Sequence, residues 1–162
     1  MQELSQNLKA VLQDVGEGAV LIHLAILLRQ FPRWTIYKNF AEAGCDIVIQ
    51  QSGARQVAAK AIFIEVKTRQ GLLTQRRNRN TMHFTVTKNE RDACDFVAAY
   101  WFERNAFFIV PRDQLTQTRA GTKVLYKFIA YWSDKQGKFT DGSEAFRDRW
   151  DLIMNQLRGE SN

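Results

Sequence analysis

This sequence is short of the residues that would commit it to several large classes of protein. It has two cysteines, Cys45 and Cys94, with no Cys-x-x-Cys spacing, and two histidines, too few ligands for a structural zinc site and too few thiols for a disulfide framework. Both cysteines fall in patterned segments, so we expect reduced packing residues. Two prolines and nine glycines never gather into a linker, and no repeat or low-complexity tract divides the chain. The most apolar run, Ala19–Leu28, is too short to span a bilayer and contains His23. The Met1-Gln-Glu-Leu-Ser-Gln start has an acidic residue and no basic n-region. The expectation is therefore a cytoplasmic chain with no signal peptide and no membrane partner.

What the chain does have is a core. Its 162 residues are 45% hydrophobic and 12% aromatic, which suits one domain over 1–162 and excludes wholesale disorder. Leu4, Leu8, Val11, Leu12, Val15, Ala19, Ile22 and Ile26 recur at helical spacing and predict a long helix over roughly 3–30, with Gly16-Glu-Gly18 as its candidate kink and Pro32 beyond its end. Three strands follow, Trp34–Lys38, Cys45–Gln50 and Lys60–Thr68, and Thr81–Val86 alternates as a fourth. Thr87 and Glu90 have capping-box spacing before a helix. Phe96–Phe102 and Ala106–Val110 read as a buried hairpin, Arg112–Leu115 as a helical turn, Lys123–Trp132 as a strand, Gly137–Gly142 as a loop and Ser143–Leu157 as an amphipathic helix docked on its own domain.

Ionisable residues sit where these strands should be apolar. In Ala61-Ile-Phe-Ile-Glu-Val-Lys67 successive side chains alternate faces, so Glu65 and Lys67 point the same way, and a hairpin through Gln51–Gln56 would bring Asp46 beside them. Buried charges are costly unless something pairs with them, which suggests a metal or a phosphate nearby. A plain cross-strand salt bridge at the open end of a sheet satisfies the same three residues. Spacing alone leaves both readings open.

With Gly16-Glu17 on the first helix, the set Asp46, Glu65-x-Lys67 resembles the PD-(D/E)XK phosphodiesterase superfamily, with Cys45 where its Pro usually stands. Small Holliday-junction resolvases and intron-encoded homing endonucleases are the members it is most similar to, the latter also through a strand ending at Pro111. The resemblance implies an α/β, restriction-endonuclease-like αβββαβ core, about 11–110, with a mixed central sheet flanked by helices. A C-terminal strand and helix over about 111–162 lie outside it. It also implies Asp46, Glu65, Lys67 and Glu17 as catalytic residues. Asp46, Glu65 and the Val66 backbone carbonyl would then hold Mg2+, with Mn2+ able to substitute. Glu17 has the alternative of simply pairing with Lys67 or Arg69.

Charge points the same way. Formal net charge is +6 with an isoelectric point near 9.5, and from Lys67 to Lys88 there is no acidic residue. Arg69, Gln75, Arg76, Arg77, Arg79 and Lys88 in that stretch are candidate DNA-binding residues, guanidiniums and amides suited to phosphates and base edges. An ordinary solvated loop is the competing reading. His83 beside it is a candidate phosphate contact, whereas His23 reads as a hydrogen-bonded core histidine. The expected protein is a Mg2+-dependent DNA endonuclease acting on double-stranded or branched DNA, as a homodimer or higher homo-oligomer. The alternatives are a junction-resolving rather than site-specific nuclease, and a non-catalytic DNA-binding or regulatory module on the same fold.

Overall fold

The apolar periodicity at the start of the chain becomes a single helix, α1 (Gln6–Leu28), continuous through Gly16-Glu-Gly18. The computed structural model describes residues 6–39, 44–52, 60–70, 80–140 and 142–159. Periodicity located the helix but not its inner face. Gly16, Glu17, Val20, Leu24 and Leu28 are buried, whereas Leu8, Val11, Val15, Ile22 and Ile26, part of the pattern that predicted the helix, are 45% to 62% exposed. A helix apolar on two sides offers two candidate inner faces, and only the tertiary neighbour chooses. By length and composition α1 could also cross a membrane. Here it lies on the sheet.

Strands β1 (Trp34–Lys38), β2 (Ile47–Gln51) and β3 (Ala61–Arg69) form an antiparallel meander. The chain then passes through β4 (Thr81–Thr87) and α2 (Lys88–Ala93) before β5 (Phe96–Trp101) returns parallel to β3, and β6 (Ala106–Pro111) completes the mixed sheet in the order β1-β2-β3-β5-β6. The hairpin link between β5 and β6 is a 3-10 turn closed by Asn105 in left-handed conformation, φ 43°. As expected, Thr87 caps α2 and Glu90 reaches back to the Thr87 N–H.

Alternation gives this sheet two faces, and each has its own core. Ile47, Ile49, Ile62, Ile64 and Val66 pack beneath α1 and the C-terminal α3 (Trp150–Arg158). Val97, Ala99, Phe108 and Val110 pack against a second sheet, in which β8 (Lys123–Ser133) is flanked by β4 on one side and by β7 (Thr116–Ala120) and β9 (Lys138–Thr140) on the other. The mixed central sheet and its flanking helices are as the sequence predicts, but β4 joins the second sheet. That face is covered chiefly by strands.

Two other expectations change, and one strand lies where the sequence suggests no element. Thr116–Ala120, polar and mostly exposed, is held as a strand by its pairing along the edge of β8. Gly137–Gly142 contains β9, where Phe139 is 2% exposed against Trp101, Phe108 and Trp132. The Ser143–Leu157 helix is cut to α3, preceded by a 3-10 turn over Ser143–Phe146. Asp148, at φ 51°, donates its N–H to the Phe107 carbonyl at 2.9 Å, so the chain bends to follow β6 before turning helical. Trp150, Ile153, Met154 and Leu157 are buried, which docks α3 on its own chain. Cys45 and Cys94 are buried free thiols, and burial pushes Cys94 up to about 12.

Gly16 sets how close α1 comes to the sheet. A Cβ there would lie 1.6 Å from Thr68 Oγ1, whereas one on Gly18 meets nothing within 4 Å. We expect Gly16→Ala to destabilise the fold by roughly 1–3 kcal/mol through overpacking, despite alanine's better helix propensity. Gly18→Ala should stabilise it by about 0.5–1 kcal/mol. Urea denaturation of the two variants gives opposite signs if the close approach is real.

Candidate active site

On β3, Ile62, Ile64, Val66 and Thr68 share the buried face under α1, and Phe63, Glu65 and Lys67 project to the other side, where α2 lies. The ladder with β2 stops at Ile47↔Ile64, extended by one further bond from the Asp46 N–H to the Ile64 carbonyl at 3.1 Å. Beyond that point the β2 side of β3 has no strand beside it among the described residues, and its polar backbone groups need other partners. Two side chains supply them. Asp46 Oδ2 accepts from the Val66 N–H at 2.7 Å. Gln13 of α1 donates through Nε2 to the Val66 carbonyl at 2.7 Å and accepts through Oε1 from the Thr68 N–H at 3.3 Å.

The same Gln13 amide donates to Glu17 Oε1 at 3.1 Å, while Glu17 Oε2 is ion-paired with Lys38 of β1 at 3.0 Å. Glu17 therefore has a partner that the sequence reading did not name, in place of Lys67 or Arg69. Asp14 also reaches Lys38, at 3.4 Å. Lys67 lies between two carboxylates, Glu65 Oε1 at 2.5 Å and Glu90 Oε1 at 2.9 Å. Its position depends on α2, because Glu90 Oε2 accepts from the Thr87 N–H in the capping box.

The electrostatic balance of this cluster is acidic. Burial pushes Glu65, 3% exposed, up to about 7 even though Lys67 pulls it down. Asp46 is also raised, chiefly by burial; the bond from Val66 opposes that shift and the charge of Glu17 adds to it. For Lys67, burial works against the charge, but Glu65 and Glu90 more than compensate and hold it above the usual lysine range. Glu90 is held low by the Thr87 N–H and Lys67 in spite of its burial. Five carboxylates, Asp14, Glu17, Asp46, Glu65 and Glu90, thus meet two ammonium groups, Lys38 and Lys67, and the Arg69 guanidinium near Glu90.

Among the described residues no group of three His, Cys, Asp or Glu side chains is close enough to cage an ion. Magnesium does not need one: it keeps several waters and uses one or two carboxylates. Asp46 and Glu65 are hard oxygen donors raised chiefly by burial, and the Val66 carbonyl retains a second lone pair beside its bond to Gln13. This donor set fits such an ion.

The remaining candidates are placed less centrally. Arg69 is exposed at the end of β3, donating to the Thr68 carbonyl at 3.2 Å. Lys88 is ion-paired with Asp92 on the exposed side of α2. Gln75, Arg76, Arg77 and Arg79 lie outside the described residues. His83 is exposed on β4. His23 is also exposed rather than in the core; Nδ1 pairs with the Ala19 carbonyl at 3.1 Å and the ring stacks on Trp150 with centroids 5.3 Å apart. Gln13, Lys38 and the second role of Glu90 escaped the sequence reading. The one available signal was Gln13 lying four residues before Glu17, on the same helix face.

Glu65 makes stability depend on pH. Its carboxyl is near 7 in the folded chain against an ordinary 4.5, so the folded state holds the proton more tightly. Stability from this group is fully present below pH 4.5 and is lost as pH rises through 7, a cost on the order of 3 kcal/mol. Glu65→Gln should match the wild type near pH 4.5 and exceed it in EDTA at pH 8.5, by urea denaturation. Magnesium should narrow that gap by stabilising the wild type alone. An equal difference at both pH values would count against a buried charge.

No family model matches the sequence, and no curated protein matches it. Among solved structures, a bacterial homing endonuclease superimposes with a TM-score of 0.58 at 18% identity, covering 94% of this chain and 97% of that one. The Holliday junction resolvase of the archaeal hyperthermophile Archaeoglobus fulgidus aligns with a TM-score of 0.45 at 17% identity, over 72% of this chain and 82% of that one. Together with a mixed sheet whose β3 carries Glu65 and Lys67 between α1 and α2, the first match gives the conclusion that this chain has the restriction-endonuclease-like nuclease fold.

Proposed function

We propose that the chain is a magnesium-dependent DNA endonuclease that hydrolyses phosphodiester bonds at Asp46, Glu65 and Lys67. The observation that carries this reading is the charge imbalance at the end of β3, where Asp46 and Glu65 are both raised by burial in a cluster with too few cations. A salt bridge alone would not leave two carboxylates short of positive charge. A divalent ion at Asp46, Glu65 and the Val66 carbonyl would supply an activated water and neutralise charge on the scissile phosphate.

The chain's own residues do the rest. Gln13 and Asp46 hold the Val66 peptide in place from its two polar ends. Lys67 presents a fixed ammonium on the same face as Glu65, where it can orient a water or stabilise charge developing on phosphate oxygens. Glu90 limits how far that ammonium can swing. Glu17, tied to Gln13 and Lys38, supports the site from the helix side.

Pairing of two copies would present two sites to two strands, and one face of the structure supports it. Val11, Val15, Ile22 and Ile26 are exposed along α1 at four- and seven-residue steps, with the exposed Ala25 beside them. This is the spacing of a two-helix seam. A second copy of α1 is the self-complementary occupant, as a two-fold interface requires.

Two measurements test these readings. Supercoiled plasmid and branched DNA should be cut with magnesium and not with EDTA, and Asp46→Ala and Lys67→Ala should each lose about 100-fold or more of the rate. Salt-sensitive DNA binding without cutting in any of the three proteins would favour the non-catalytic module. In sedimentation, the wild type should be at least dimeric, and Val15→Asp with Ile22→Asp should be monomeric and still folded. A monomeric wild type overturns the seam.

A further inference from the structure

The second sheet contains no acidic residue in any of its four strands, β4, β7, β8 and β9. Its two faces divide by alternation. Tyr126, Phe128, Ala130 and Trp132 of β8 face the core, as do Met82, Phe84 and Val86 of β4. The other face therefore carries Lys123, Leu125, Lys127, Ile129 and Tyr131 of β8, Lys138 of β9, His83 and Thr85 of β4 and Thr116 of β7. Register puts Thr85 and Thr116 on either side of Lys127, and Lys138 opposite Ser133 at the far end of β8.

Three ammonium groups on one sheet face with no carboxylate among them is an unusual arrangement in this protein. Lys38, Lys67 and Lys88 are each ion-paired. None of Lys123, Lys127 and Lys138 pairs with a carboxylate among the described residues. At about 3.3 Å per residue Lys123 and Lys127 stand roughly 13 Å apart on β8, and Lys138 is further still, so an extended anion is what can meet all three at once. Hydroxyls at Thr85 and Thr116 beside the lysines add short donors suited to phosphate oxygens and base edges.

We propose that the outer face of this sheet is a docking surface for duplex DNA, distinct from the β3 cluster, with Lys123, Lys127 and Lys138 on phosphates and His83, Thr85 and Thr116 close enough to contact bases. The nuclease reading supplies only the choice of DNA as the polyanion. β4 joins the face to the site: its last residue, Thr87, caps α2, and the Glu90 of that cap holds Lys67. A duplex lying on the sheet is thus one short element away from the reactive cluster. The face is built on paired strands that hold its donors at fixed spacing.

The test is binding, not cleavage. A fluorescent duplex of about 30 base pairs and random sequence is titrated with the full chain in EDTA across a range of salt concentrations. Lys123→Ala, Lys127→Ala and Lys138→Ala combined should weaken binding at least tenfold at low salt and reduce the log–log salt slope by about 3, one per lost phosphate contact. Circular dichroism and the thermal midpoint of the triple variant should be unchanged, and Thr85→Val should alter the preference among duplexes more than the salt slope. Unchanged affinity and slope in the triple variant would overturn the surface, as would a wild type that binds anionic vesicles or single strands but no duplex. A wild type that binds duplex through these lysines and never cuts would sink the nuclease reading and leave this surface standing.

Discussion

A strand that outruns its neighbour has to find other partners for its backbone, and in this protein the site is built at that overrun. β2 pairs β3 only as far as Ile64, so Val66 and Thr68 would present unpaired amide and carbonyl groups in a buried setting. Each such group left unpaired costs on the order of 1–3 kcal/mol. Asp46 and Gln13 meet them instead, and in doing so they fix one carboxylate and one helix to the strand that carries Glu65 and Lys67. The need to satisfy a backbone and the need to assemble a reactive cluster are met by the same contacts.

That coupling explains why acids can be held in a place that raises their pKa. Asp46 cannot retreat into solvent without abandoning the Val66 N–H, and Glu65, 3% exposed, is held beside Lys67 on the face of β3 turned away from α1. The cost falls on the charged forms and is offset by the two cores that flank the sheet. Buried apolar side chains contribute about 1.5–3 kcal/mol each, so a few well-packed positions such as Ile62, Ile64 and Phe108 outweigh it. Stability is spent locally at the site and recovered on both faces around it.

The sequence revealed these features unevenly, for physical reasons. The meander of β1, β2 and β3 was legible because alternation and turn residues are local signals, and Asp46, Glu65 and Lys67 stood out because charge in an apolar strand is conspicuous. The capping box before α2 was legible for the same reason. The inner face of α1 was not, since Leu8, Val11, Val15, Ile22 and Ile26 satisfy the helical period as well as Val20, Leu24 and Leu28 do. β4 was found as a strand but not its sheet, because pairing with β8 spans some forty residues and leaves no local trace. Gln13 was invisible as a partner of β3: an amide on a helix is ordinary until the strand edge it closes is seen.

The capping box at α2 has an implication beyond helix initiation. One oxygen of Glu90 closes the first turn of a six-residue helix, and the other restrains Lys67. A helix this short has little stability of its own and frays from its ends. When its first turn opens, Glu90 leaves both tasks together, and Lys67 keeps only Glu65 for company. Lys67 is therefore governed by a local opening equilibrium that is far shallower than global unfolding, and its position follows temperature through a single turn of helix while both cores remain closed.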